Sequence, residues 1–317
     1  MRALLVVNPA ATTTSARTRE VLASALETDL KLEVAHTRHR GHAAELAAEA
    51  RADGLDLVVV LGGDGTVNEV VNGLLAGGDP TDVPEVPDLA VVPGGGTNVF
   101  SRALGLPRDP VEATGALLDA LREHRRRSIG LGLAGDRWFT FNAGMGWDAE
   151  VVARVDQRRR ARPTEQRHTT PTDYVRAAAS QFFLHTDRRS PAITLEVPGA
   201  EPQPVHMAIV ANTAPWTYLG DRPLLTSPEA SFDTGLDLYA LTRLRTMGTL
   251  SEARRLLRGR PTPDRRGPRT LVHRQHDLAE LTLRASRPVA AQVDGEALGD
   301  LQALTFRAVP NALCVVV

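Results

Sequence analysis

The chain has 317 residues, 42% of them hydrophobic, and a formal net charge of -1, which is more than one core usually holds and ample for two domains. That charge excludes a globally basic nucleic-acid binder, and 4% aromatic residues leave little for base-stacking platforms. The single cysteine, Cys314, excludes a disulfide framework or a cysteine-based metal cluster, and its setting in Ala312–Val317 reads as a strand with a structural thiol. No apolar run is long enough to span a bilayer and no signal-peptide layout precedes the first strand, so a soluble, cytoplasmic chain is expected.

The first part alternates two periodicities. Strands are predicted at Ala3–Asn8, Leu32–Ala35, Leu57–Leu61 and Leu89–Val92, and helices at Ala16–Leu26, Ala43–Ala52, Val67–Leu75 and Pro110–Leu121. Asp109 before Pro110 makes a good N-cap and first helical residue. This order predicts an α/β domain with a parallel sheet, and ligands outside the carboxyl ends of its strands. From about Ser128 strand-like pieces dominate: Ser128–Leu133, Trp138–Asn142, Ile193–Val197, Val205–Asn212, Leu236–Leu241, Leu278–Leu283, Val289–Val293 and Leu304–Val309. Turn residues separate them, as in an antiparallel sandwich. Helices are predicted at Thr172–Phe183 and Thr246–Leu257, and mobile stretches at Asp156–Thr172 and Gly259–Arg269. The predicted domains are 1–128, α/β and nucleotide-binding, and 129–317, β-rich, with the site in the cleft between them.

The run Leu57–Leu74 carries the most chemistry. A buried strand meets Gly62-Gly63-Asp64-Gly65-Thr66 and then a helix, which is an anion cradle: glycines let the backbone approach a phosphate and the helix start offers N–H groups. A second turn, Gly94-Gly95-Gly96, would face the same ligand from the next strand end, beside Thr97 and Asn98. Neither a Walker glycine-lysine loop nor a protein-kinase glycine loop is present. In Asn142–Glu150 two glycines before an acid suggest a tight turn presenting Asp148 at a helix start, with plain N-capping as the alternative. Gln292-Val293-Asp294-Gly295-Glu296 reads either as a strand ending in an Asp-Gly hairpin turn or as the source of the carboxylate base that phosphoryl transfer to an alcohol requires.

Five segments, Asn8-Pro9, Gly62–Leu74, Pro93–Leu106, Asn142–Ala149 and Val293–Glu296, together resemble the bacterial diacylglycerol kinase family of lipid kinases, within a superfamily that includes sphingosine and NAD kinases. The resemblance implies an N-terminal ATP-binding domain and a C-terminal lipid-binding domain. It implies that Asn8, Gly63, Asp64, Gly65 and Thr66 bind the nucleotide, with Gly62, Gly95, Gly96, Thr97 and Asn98 around it. It also places Asp148 in a magnesium-linked network and makes Asp294 the general base for a lipid hydroxyl, with Glu296 its partner. Where many relatives read Pro-x-Gly-Thr-x-Asn-Asp this chain has Pro93–Val99, so Gly96 removes a hydroxyl and Val99 a carboxylate. Phe232–Asp237 resembles a segment that supports a structural magnesium in some relatives, which would make Asp233 and Asp237 ligands, with an ordinary turn into a strand as the alternative.

The reading of the whole is an ATP- and Mg2+-dependent kinase acting on diacylglycerol or a related lipid at a membrane surface, with no nucleic acid as partner and a homodimer left open. Phosphorylation of a soluble hydroxyl, as by an NAD kinase, and nucleotide or lipid binding without catalysis stay as alternatives. The run Arg154, Arg158, Arg159, Arg160, Arg162 and Arg167 is either a solvated face or a contact for anionic headgroups that would hold the chain peripherally on the membrane. His36, His39 and His42 show no metal-ligand spacing.

Overall fold

The computed structural model describes the chain except for residues 10, 12–14, 78–84, 162–179, 181–188 and 260–270. The predicted helix Thr172–Phe183 apart from Ser180, most of the stretch Asp156–Thr172 and nearly all of Gly259–Arg269 lie outside the described residues. The chain is mixed α/β and forms two compact units, Met1–Leu131 with Val309–Val317, and Gly132–Ala308.

The first unit alternates β1 (Arg2–Val7), α1 (Ala16–Leu26), β2 (Lys31–His36), α2 (His42–Ala52), β3 (Leu57–Gly62), α3 (Asp64–Leu74) and β4 (Asp88–Pro93), followed by α4 (Val99–Ala103) and α5 (Pro110–Arg122). The strands pair in parallel in the order β4-β3-β1-β2. β3 is buried along its whole length, as a continuous apolar run between two helical layers should be. Its Leu57, Val59 and Leu61 join Leu22 and Leu26 of α1 and Ala113 and Leu117 of α5 in one core. Asp109 caps α5 as predicted, its Oδ1 accepting from Val111 N and Glu112 N at 2.8 and 3.1 Å. On the other side α3 packs against α2, so closely that a Cβ on Gly73 would land on the Ala44 backbone.

The second unit is β-rich and antiparallel. The chain passes through β5 (Arg126–Ala134), β6 (Arg137–Phe139), β7 (Asn142–Gly146), α6 (Trp147–Ala161), β8 (Ile193–Glu196), β9 (Gln203–Val205) and β10 (Met207–Ala211). It continues through β11 (Thr217–Leu219), β12 (Arg222–Leu224), β13 (Leu236–Leu241), α7 (Thr246–Leu257), β14 (Val272–Leu278), β15 (Glu280–Val293) and β16 (Glu296–Val316). The order β14-β13-β10-β7-β15-β16 sets the main sheet, and Met145, Leu238, Leu283 and Phe306 are among its core residues. The predicted strand Val289–Val293 and most of Leu278–Leu283 belong to the single long strand β15.

Two expectations change. Residues 129–317 were expected to form one domain, but β16 ends in the first unit: Val315 pairs in parallel with Leu89, and Val316 is buried in that unit's core. Asn142–Gly146 was expected as a tight turn and is instead a central strand between β10 and β15. Its glycines answer a close approach, since a Cβ on Gly144 would meet the Ala208 carbonyl and one on Gly146, at φ +97°, the His206 carbonyl. Cys314 is half-buried, and burial together with Asp88 pushes its thiol up to about 11.

Candidate functional site

In the first unit the two glycine turns touch backbone to backbone. A Cβ on Gly95 would lie 2.7 Å from Gly63 Cα and 2.9 Å from Asn98 Oδ1, and one on Gly63 would lie 3.1 Å from Gly95 Cα. Gly94 N donates to Gly62 O at 2.7 Å, and Asn98 closes the second turn by accepting from Gly95 N (2.9 Å) and donating to Gly95 O (2.7 Å). Asn8 joins this rim, its Nδ2 donating to Thr66 Oγ1 at 2.9 Å. Asn8, Gly62–Thr66 and Gly94–Asn98 are therefore brought together.

Asp64 has a structural task within that group. Its Oδ2 accepts from Val99 N at 3.0 Å and its Oδ1 from Phe100 N at 3.1 Å, so the carboxylate of the first turn caps the short helix after the second. Val99, noted above as a lost carboxylate, supplies an N–H to that link and buries its side chain. α3, by contrast, has Gly63 as its N-cap, which brings no side-chain cap to its first N–H groups. An anion therefore fits at the α3 N-terminus. Gly96 has open space where a side chain would stand. Thr97 sits between Gly96 and Asn98 in the same turn.

Sequence reasoning passed over Glu69. Its carboxylate accepts from Gly41 N at 2.9 Å and Ala43 N at 3.3 Å, capping α2, whose own N-cap is the side-chain-free Gly41. The only signal was the absence of an N-cap oxygen at Gly41. Because the turns meet at glycine backbone, Gly95→Ala is expected to cost about 1–3 kcal/mol, which denaturant unfolding of the variant checks.

In the second unit Asp294 and Gly295 form a two-residue hairpin between β15 and β16, with φ +47° and +76° and Val293 paired to Glu296. Positive φ at both positions is what a type I′ turn requires and what Asp-Gly supplies. Asp294 is 5% exposed, and its carboxylate points back to the β6–β7 corner. Oδ2 accepts from Thr140 N (2.7 Å) and Thr140 Oγ1 (2.8 Å), and Oδ1 from Phe141 N (3.0 Å) and Asn142 N (3.1 Å). Burial pushes this group up from the ordinary carboxylate value and the four donors pull it back. A carboxylate offers about four lone-pair sites, and here all are used. These bonds make Asp294 a strut between the hairpin and the β6–β7 corner.

Gln292 organises the neighbouring polar groups. Its Nε2 donates to Asn142 Oδ1 (2.9 Å) and Asp148 Oδ2 (3.2 Å), and its Oε1 accepts from Gly295 N (2.9 Å). Asp148 is the second residue of α6 and buried. Burial pushes its carboxyl up to about 6, with Gln292 pulling it down. A carboxyl raised above its unfolded value gives stability that is present at acid pH and lost as pH rises through about 6. Asp148→Asn, which keeps an acceptor for Gln292, is expected to raise the melting temperature by about 5 °C near pH 8 and to change it little near pH 4. Thermal melts at the two pH values check the sign.

Glu296 follows the hairpin. Its side chain is 22% exposed and its carboxylate lies 3.8 Å from the Arg137 guanidinium, beyond hydrogen-bond distance.

Asp233 and Asp237, expected as magnesium ligands, make hydrogen bonds within the protein. Asp237 Oδ1 pairs with His276 Nδ1 at 2.7 Å and accepts from Asp277 N at 3.2 Å, while Asp233 is held by Ser231 in its own turn. Among the described residues the one group of three potential ligands within reach of one another is His39, His42 and Glu45, their ligand atoms within 4.8 Å, where no spacing had suggested one. One nitrogen of each ring is engaged there, His39 Nδ1 with Arg40 O and His42 Nδ1 accepting from Arg38 N. Of the arginine run, Arg154 bonds Ser180 Oγ at 3.2 Å, Arg158–Arg160 lie on α6, and Arg162 and Arg167 are outside the described residues.

Residues 2–133 match the diacylglycerol kinase catalytic domain. In these residues the chain is similar to diacylglycerol kinase catalytic domains. A probable YegS-like lipid kinase from Chromohalobacter salexigens is 36% identical over 134 residues, 42% of this chain and 40% of that protein. A diacylglycerol kinase from Bacillus subtilis is 39% identical over 113 residues, 35% of this chain and 34% of that protein. The matches thus span about two fifths or less of these relatives' length. In fold the similarity is wider: the crystal structure of a diacylglycerol kinase from Bacillus anthracis strain Sterne superposes with a TM-score of 0.70 at 19% identity, covering 99% of this chain and 96% of that one. Another crystal structure from that strain reaches 0.74 at 20% identity. Among the described residues no helix is long and apolar enough to cross a membrane.

Proposed function

We propose that this chain is an ATP- and Mg2+-dependent lipid kinase that transfers the γ-phosphate of ATP to a hydroxyl of diacylglycerol or a related lipid. The observation that carries the reading is the pair of glycine turns in contact at Gly63 and Gly95 beside the N-terminus of α3, whose N-cap Gly63 brings no side-chain cap, within residues that match the diacylglycerol kinase catalytic domain. Phosphoryl transfer asks a protein mainly to hold phosphates, neutralise charge and orient the acceptor. The first N–H groups of α3 and the Asn8–Thr66 pair are the groups that would hold the triphosphate. Asp64 keeps the second turn in register through Val99 and Phe100.

In the second unit the base we assign is Glu296, because its neighbour Asp294 spends its lone pairs on Thr140, Phe141 and Asn142. Glu296 would take the proton from the lipid hydroxyl as the phosphoryl group arrives. Magnesium, when bound, neutralises phosphate charge. Asp148 suits such a cation, since a buried carboxylate pushed up to about 6 gains from a nearby positive charge. The chain would work at the membrane surface as a peripheral protein of the cytoplasm, with the lipid and ATP as partners.

The test is a transfer assay with γ-labelled ATP, magnesium and vesicles of total bacterial lipid. Label in a lipid identifies the acceptor. Label in NAD without vesicles would move the reading to a soluble hydroxyl, and ATP binding without transfer to either would leave a binding protein.

A further inference from the structure

The helix α7 is built inside out. Surface helices normally bury their apolar stripe and expose polar residues. Here Met247, Leu250 and Leu257 are 80%, 54% and 46% exposed, while the buried residues are Thr249 and Glu252. The inward polarity has a partner, since Tyr239 OH donates to Glu252 Oε1 at 3.1 Å. Met247, Leu250 and Leu257 stand three and seven residues apart and so share one face of the helix. Arg254 and Arg258 fall within or beside that face, and Arg245 and Arg255 are also exposed.

Charge selects the occupant. From Arg243 to Arg258 the only acid is Glu252, which is buried, so the outer surface of α7 carries arginines and no carboxylate. The whole chain has 37 basic and 38 acidic residues, so this excess is local. Exposed long apolar side chains among arginines on one helix are the makeup of a segment that lies in a bilayer interface. Anionic headgroups attract such a cluster, whereas neutral lipid does not.

We propose that α7 docks the protein on an anionic bilayer, with Met247, Leu250 and Leu257 entering the headgroup boundary and Arg254, Arg255 and Arg258 pairing with lipid phosphates. Docking rests on the lipid-kinase reading only for its purpose, which is to bring the enzyme to an acceptor that does not leave the membrane.

The experiment is flotation of the full chain, without ATP, on phosphatidylcholine vesicles with and without phosphatidylglycerol. The protein is expected to float with the anionic vesicles and to stay behind with the neutral ones. Two variants, Arg254→Gln/Arg255→Gln/Arg258→Gln and Met247→Ser/Leu250→Ser, should each lower partitioning about tenfold or more while melting at the parent temperature, because the residues are exposed. Parent-like flotation of both variants, or no preference for the anionic vesicles, overturns the proposal. Concentration-dependent self-association that the same variants abolish would give the face to a second copy and also overturn it. A Glu296→Gln protein should float like the parent, so docking and catalysis fail or succeed separately.

Discussion

Asp294→Asn is expected to lower stability by about 3–5 kcal/mol, a fall of about 10 °C in melting temperature for a unit of this size. The substitution keeps the turn, since Asn-Gly adopts the same positive φ pair as Asp-Gly. What it changes is the acceptor. One oxygen becomes an NH2 group facing either the Thr140 N–H and hydroxyl or the N–H groups of Phe141 and Asn142, so two donors lose their acceptor in a buried corner. Asp294→Ala removes all four bonds and should cost as much or more. Because Asn142 also anchors Gln292, and Gln292 reaches Asp148, the loss should spread to Asp148. Thermal melts and amide exchange at Thr140–Asn142 are the measurements. A parent-like melt for Asp294→Asn would remove the strut and restore this residue as a base.

The parallel half of the fold was legible because its signals are local. The apolar run Leu57–Leu61 reads as a fully buried strand, and Asp109-Pro110 marks a helix start whatever packs on it. The reading failed where meaning depends on distant chain. Gly144 and Gly146 looked like turn glycines, yet their lack of a side chain admits the carbonyls of Ala208 and His206 in a neighbouring strand. Nothing near Val315 in sequence announces Leu89 as its partner.

The candidate site divides in the same way. Glycine turns reveal themselves by composition, so Gly62–Thr66 and Gly94–Gly96 were found. The tasks of the acids were not visible, because a motif shows an aspartate without showing who donates to it. Asp64, expected at the nucleotide, and Asp294, expected as the base, both bind backbone N–H groups of another segment. A carboxylate held that way gives rigidity to a turn, which matters where phosphates must be met by fixed dipoles. The helix Thr246–Leu257 was legible as a helix, but its outward face was not, since periodicity cannot say that Thr249 and Glu252 are the buried side.

Glu296→Gln follows from that division of labour and should reverse the signature of Asp294→Asn. The change keeps shape and removes the charge from a group that is 22% exposed and 3.8 Å from Arg137. At such a surface position an ion pair contributes about 0–1 kcal/mol, so the melting temperature should barely move. ATP binding should also be unchanged, since the groups assigned to the triphosphate are all in the first unit. Turnover should fall about 10²–10⁴-fold, the usual worth of a positioned general base, with KM for the lipid little altered because the loss falls on the transition state. Glu296→Asp tests position separately from charge and should recover only part of the rate, its carboxylate being one methylene short. Steady-state kinetics on vesicles, at a temperature where every variant is folded, separates the two acids. If Glu296→Gln turns over within a few-fold of the parent while folded Asp294→Asn does not, the base is Asp294 after all, and its four donors must release it during catalysis.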